Sequence, residues 1–240
     1  MKLERKRGFY EKYIKRILDI ICSLLAIIVF SWLYLIIALI VRIKMGSPVL
    51  FKQPRPGMVK NGKETIFDMY KFRTMTDERD ENGDLLPDDK RLPPFGALLR
   101  KTSLDELPEA FNILKGDMSV IGPRPQLVRD MVFMSEQQRM RHTAKPGLSG
   151  LAQTKGRNAI SWEEKLDWDL KYIEKITFWT DLKLVLITVF SAFIKAEGIN
   201  DGENVTALDY GDALLRVGKV SYDEYRCKQA EAKQILEVRN

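Results

Sequence analysis

An uncharged, strongly apolar run from Ile20 to Val41, bounded by Asp19 and Arg42, dominates the early part of the chain. At about 22 residues it is long enough to cross a bilayer. It is too long for the apolar part of a cleavable leader, and no small-residue cleavage site follows it before Arg42 and Lys44. A buried helix of a soluble protein ordinarily carries a polar stripe, which this run lacks.

Both flanks of the run are basic. Lys2, Arg5, Lys6, Arg7, Lys12, Lys15 and Arg16 precede it; Arg42, Lys44, Lys52 and Arg55 follow. Positive residues stay on the cytoplasmic side of a membrane. A simple span would carry one basic flank across, whereas a helix that dips in, bends and returns keeps both inside. The pattern therefore favours a re-entrant helix over a span. Its bend is expected at Ser31, whose hydroxyl can bond back to a carbonyl, beside the interface-preferring Trp32 and Tyr34.

Beyond Gly46 the pattern becomes mixed. Val49–Phe51 reads as a short strand, Pro54–Gly57 as a turn, and Ile66–Met75 as a strand with Lys71 and Arg73 among aromatics. The charge-dense segment Asp77–Arg91 reads as a solvated loop. Helices are expected over Phe95–Lys101, from Ser103 to about Leu114, over Gln126–Thr143, and over Ser161–Ile176 with a Ser161/Glu164 capping box. Gly122–Pro125 is a stiff loop and Lys145–Asn158 a glycine-rich one. Phe178–Ile194 is an apolar helix interrupted by Asp181 and Lys183, suited either to a membrane surface or to a core. Gly198–Lys219 reads as a connector, and Ser221 opens a polar C-terminal helix. The fold class expected is α+β, mostly helical. It comprises a basic N-terminus and re-entrant membrane helix (1–45), a compact cytoplasmic domain with interfacial amphipathic helices (46–200), which the resemblance described below implies is catalytic, and a C-terminal connector with a polar helix (201–240).

Composition narrows the chemistry. The net charge of +6 suits phosphates, anionic headgroups or nucleic acid. The basic residues are spread rather than gathered into a stripe, which argues against nucleic acid. Cys22 and Cys227 are too differently placed for a structural disulfide, and His142 is the single histidine, so a His-rich zinc site is excluded. A metal here would be a hard cation held by carboxylates and phosphate, with Mg²⁺ the natural candidate. No Walker sequence or dinucleotide fingerprint is present.

Phosphate chemistry must then rest on carboxylates and cations. Asp105 and Glu106 open a predicted helix. Ser103-x-x-Glu106 also reads as a plain capping box, and both readings stand at this point. Arg100 lies about one turn before the acids, Arg124 sits between Pro123 and Pro125, and Lys71, Arg73 and Arg157 add positive charge. Arginine matches phosphate through its planar fork.

The strings YKFRTM, RKTSLDELPE, NILKGDMSVIGPRP and KPGLSGLAQTKGRNAISW follow the membrane run in that order. From about residue 12 to residue 200 the chain resembles the bacterial sugar transferases, the small monotopic phosphoglycosyl transferases. The resemblance implies a ping-pong reaction at the cytoplasmic membrane face. Asp105, with Glu106 beside it, would attack the sugar-bearing phosphate of a UDP-sugar, N-acetylated by family likeness, and release UMP. Polyprenol phosphate would then take the phosphosugar. It further implies Mg²⁺ held in part by Asp105, and phosphate ligands at Lys71, Arg100, Arg124 and Arg157. A homo-oligomer is left open. Two departures stand out: Ser31-Trp32 replaces a Ser-Pro break, and Gly150-Leu151-Ala152-Gln153-Thr154 replaces GWAQV. A UDP-sugar hydrolase and a non-catalytic membrane scaffold are the competing expectations.

Overall fold

The computed structural model describes residues 3–156, 160–193 and 208–239. A π-helical turn, Tyr10–Ile14, leads into α1 (Lys15–Val29) and α2 (Ser31–Met45). Among the described residues no single helix is long and apolar enough to cross a membrane, but the pair qualifies together, bent by 63°. The break falls on Phe30 (φ −96°, ψ 10°), one residue before the expected Ser31 and without a proline. The inner face of α1 is polar and buried. Lys15 pairs with Asp181, and Asp19 accepts hydrogen bonds from Ser119 Oγ and the Val120 N–H, both at 2.9 Å. Ile17, Ile21, Leu24, Leu25 and Ile28 on its other face are exposed, as are Trp32, Leu35, Ile36 and Leu39 of α2. The polar stripe that the apolar run lacks is thus supplied largely by residues just before it.

A hairpin follows, β1 (Leu50–Lys60) antiparallel to β2 (Lys63–Phe72), closed by Asn61 and Gly62, both at positive φ. This is the backbone that a tight two-residue hairpin turn demands. Pro54–Gly57, expected as a turn, instead lies inside β1. A two-stranded ribbon has open edges on which a missing proline N–H does no harm, and the register shifts between Pro56 and Val59.

Next come α3 (Asp88–Arg91), α4 (Pro94–Lys101), a 3₁₀ turn over Leu104–Glu106, and α5 (Glu109–Lys115). The single helix expected from Ser103 is therefore interrupted at Pro108. The segment before α3 is largely exposed, as anticipated, with one bridge between Arg79 and Leu85. β3 (Ser119–Ile121) pairs in parallel with β4 (Gly147–Ser149), a strand inside the expected glycine-rich loop. These backbones approach so closely that a Cβ on Gly147 would lie 2.1 Å from the Gly122 nitrogen. Glycine there serves packing rather than looseness.

Between the strands, α6 (Val128–Met131), α7 (Glu136–Arg139) and a 3₁₀ turn (Met140–Thr143) replace one expected helix. Ser135 restarts the chain as a new cap, in a capping box with Gln138. α8 (Leu151–Gly156) and α9 (Trp162–Glu174) follow, the latter with the expected Ser161/Glu164 box. α10 (Phe178–Phe193) buries Asp181 and Leu184 and leaves Trp179, Leu186, Val189 and Phe190 exposed. Residues 198–207 of the expected connector lie outside the described residues. The remainder forms α11 (Tyr210–Arg216), with Tyr210 and Leu214 buried, so it is packed structure. α12 (Tyr222–Val238) starts at its Ser221 cap and lays Ala232, Ile235 and Leu236 against Val128, Met131 and Val132. The molecule is mixed α and β and mostly helical. One core gathers Ile121, Tyr172, Ile173 and Leu184, and another gathers Phe67, Met69, Ile113 and Met118.

Candidate functional site

β2, the 3₁₀ turn and α5 bring the acids and Lys71 together. Asn112 on α5 is fully buried. Its Nδ2 donates to Asp68 O at 2.6 Å and its Oδ1 accepts from the Tyr70 N–H at 2.9 Å, tying α5 to β2. Lys71, the next residue along the strand, then meets three carboxylates. Its Nζ lies 2.7 Å from Glu106 Oε1, 3.5 Å from Glu109 Oε1 and 4.0 Å from Asp105 Oδ2.

Arg124 reaches the same cluster from the loop after β3, with Nη2 2.5 Å from Glu106 Oε1. Its position is fixed from behind. Arg141 Nη2 donates to Arg124 O at 2.5 Å, Arg55 Nη1 donates to Pro125 O at 3.2 Å, and Arg141 is itself bonded to Asp169. Arg100 Nε donates to Thr74 Oγ1 at 3.0 Å, and its charge acts on Asp105. Arg73 turns away, donating to Met45 O and Ser47 O and pairing with Asp77. Arg157 lies outside the described residues.

The capping-box reading of Ser103 and Glu106 is overturned. Ser103 sits at φ 56°, in the left-handed region, and its side chain caps nothing. The Glu106 carboxylate accepts from Lys71 and Arg124 instead. Burial alone would raise the Glu106 carboxyl, but Arg124 and Lys71 outweigh it and hold the group well below the usual carboxylate range. Asp105 behaves oppositely. Burial pushes it up to about 6 against the opposing charge of Lys71, with Glu106 adding to the rise.

Sequence reasoning missed Glu109, although its place four residues after Asp105 puts it one helical turn away. It is almost fully buried, and burial followed by the like charge of Glu106 pushes it up to about 7. Its Oε1 has no hydrogen bond among the described residues, since the Lys71 contact at 3.5 Å is an ion pair without bonding geometry. His142, anticipated as structural, is buried with Nδ1 3.4 Å from Glu64 Oε1, and burial pushes it down to about 4.

Among the described residues, no three His, Cys, Asp or Glu side chains group as a metal cage. Mg²⁺ needs no such cage, because it is commonly bound by one or two carboxylates together with substrate phosphates. Asp105 fits that use: its separation from Lys71 is the longest of the three, and among the described residues it is committed to no closer ion pair. The cluster thus holds one locked carboxylate and one partly desolvated, uncommitted carboxylate among cations. Such a group can attack an electrophilic phosphorus.

Comparison with known proteins gives a consistent picture. Residues 10–195 match the bacterial sugar transferase family. The chain is 47% identical over 194 residues to the uncharacterized sugar transferase EpsL of Bacillus subtilis (strain 168), covering 81% of this chain and 94% of that protein. It is 41% identical over 194 residues to the UDP-glucose:undecaprenyl-phosphate glucose-1-phosphate transferase of Klebsiella pneumoniae, covering 75% of this chain and 40% of the relative. It is 36% identical over 189 residues to the UDP-N-acetylgalactosamine-undecaprenyl-phosphate N-acetylgalactosaminephosphotransferase of Aeromonas hydrophila, with coverage of 74% and 43%. The chain therefore spans less than half the length of these last two relatives. With a family match over most of its length and that level of identity, the chain belongs to the bacterial sugar transferase family.

Proposed function

We propose that this protein transfers a phosphosugar from a UDP-sugar to polyprenol phosphate, at the cytoplasmic face of a bacterial membrane, through a covalent intermediate on Asp105. The observation that carries this reading is the contrast between adjacent carboxylates. Glu106 is fixed by Lys71 and Arg124, while Asp105 is buried among cations without a close partner among the described residues. The names of the relatives support the acceptor class. They differ in the sugar, and an N-acetylated donor is our expectation for this chain.

In the first step an Asp105 oxygen attacks the phosphorus next to the sugar. The bond from that phosphorus to the bridging oxygen breaks, and UMP leaves with the electron pair. In the second step an oxygen of polyprenol phosphate attacks the same phosphorus, and the Asp105 carboxylate is released. Splitting transfer in two in this way is the usual gain of nucleophilic catalysis. Lys71, Arg100 and Arg124 are placed to bind the diphosphate and offset its charge, with Arg157 as a further ligand. Mg²⁺ held by Asp105 and the diphosphate would supply additional charge neutralisation. Glu106 keeps Lys71 and Arg124 in register.

The bent apolar pair supports a re-entrant insertion that keeps both basic flanks on one side, and the exposed apolar face of α10 supports contact with the surface. The test is exchange of labelled UMP into UDP-sugar, with Mg²⁺ and without lipid. Exchange that is abolished in Asp105→Asn is expected. Absence of exchange in the wild type would exclude the two-step route. With polyprenol phosphate added, the product should be lipid-linked; free sugar phosphate would mark a hydrolase.

A further inference from the structure

Three carboxylates face Lys71, yet only one is hydrogen-bonded to it among the described residues. Glu106 Oε1 lies 2.7 Å from Nζ, whereas Glu109 Oε1 stands at 3.5 Å with no hydrogen bond. Glu109 is 2% exposed. Asn112, three residues further along α5, ties that helix to β2 beside Lys71, so the backbone carrying Glu109 is fixed relative to the ammonium. The charges acting on Glu109 are mixed: Lys71 and Arg124 favour its ionised form, while Glu106 and Asp105 oppose it. A buried acid with an unbonded oxygen costs stability rather than adding to it. Glu109 is therefore not a fastening of the fold.

We propose that Glu109 is a positioning residue for product release: its carboxylate competes with the phosphate of UMP for Lys71 and keeps the cationic cluster from holding UMP too tightly. The inference rests on the transfer reaction proposed above.

The need for such a competitor follows from the charges. When the bond to the bridging oxygen breaks, the uridine-bearing phosphate gains a negative charge. Cations that stabilise this leaving group also bind the finished product more strongly. At the same moment Asp105 becomes a mixed anhydride, and its carboxyl is no longer an anion. Glu106 is already shared between Lys71 and Arg124. Of the three carboxylates around Lys71, Glu109 is then the one that is ionised and has an oxygen free to accept. A short swing of the lysine toward Oε1 lets the product phosphate go.

The experiment is calorimetric titration of the full-length protein with UMP, in Mg²⁺ buffer, for the wild type, Glu109→Gln and Glu109→Asp. Glutamine keeps the shape and loses the charge; aspartate keeps the charge and shortens the side chain. At about pH 8 the Glu109 carboxyl, raised to about 7, is ionised about ten to one, and that ratio caps the effect of removing its charge. Glu109→Gln should therefore bind UMP more tightly, by up to about tenfold, and UMP should inhibit its turnover at proportionately lower concentration. Glu109→Asp should stay near the wild type in both measurements. A purely structural contact gives the reverse order, with glutamine harmless and aspartate weakening UMP binding. That order, or equal UMP affinity in the wild type and Glu109→Gln, would overturn the release role. A wild type that binds no UMP would refute the transfer reaction itself, and the release role with it.

Discussion

Arg141 holds Arg124 from behind: its Nη2 donates to the Arg124 carbonyl at 2.5 Å while the same guanidinium is bonded to the buried Asp169. Both members of this ion pair are about 1% exposed. Removing one partner leaves a buried charge uncompensated, which costs about 3–5 kcal/mol. Asp169→Ala should therefore lose stability on that scale in chemical denaturation. A change below about 1 kcal/mol would show that the pair is not a structural anchor.

The pH dependence of the first chemical step should follow Asp105. Its carboxyl is pushed up to about 6 and must be ionised to attack. The rate of UMP exchange at low donor concentration should therefore fall as pH drops below about 6, with a one-proton slope. A profile flat down to about pH 4.5 would contradict the raised pKa of Asp105.

Glu106→Gln weakens the hold on two cations at once. Exchange should fall by about 10²–10³-fold, the range for losing an electrostatic contact in a water-poor site. Stability should fall as well, because the change leaves the Lys71 and Arg124 charges without their partner. Donor-dependent kinetics and thermal unfolding measured on the same sample check both halves. A stability loss without an activity loss would restore the capping role.

Glu109 gives a signed prediction for stability against pH. Its folded carboxyl is raised from 4.5 to about 7, so across that window the unfolded chain releases this proton first. The folded state binds the extra proton, and stability falls as pH rises. Glu109→Gln removes this contribution. Its melting temperature should therefore gain on the wild type between about pH 5 and about pH 8. A constant difference would show that Glu109 is ionised throughout.

Local signals in the sequence were read correctly where chemistry and neighbours along the chain decide. Ile20–Val41 is visibly apolar, and the break at Phe30 falls one residue from Ser31. The Ser161/Glu164 box caps α9 as read. Lys71, Asp105, Glu106 and Arg124 do converge, and Arg100 lies within electrostatic reach of Asp105. What escaped depends on distant partners. Pro54 and Pro56 look like turn residues until β2 is known to lie on only one side of β1. Ser103 and Glu106 have the right spacing for a cap, yet Lys71 and Arg124, far apart in sequence, offer Glu106 a stronger partnership than an N–H. Glu109 escaped notice because nothing local announces that Asn112 draws α5 onto the strand, where Glu109 is buried.

An α-helix of 15 residues is about 22 Å long, and α1 and α2 each have that length. Joined at a 63° bend, two such rods place their elbow about 12 Å from the line between their far ends. Half the hydrocarbon thickness of a bilayer is about 15 Å. Pushed in from one side, Phe30 would stop short of the midplane, and the helices would displace acyl chains in the near monolayer alone. The near monolayer would be stretched laterally and the far one left as it was, a mismatch in area that favours membrane bulging toward the protein.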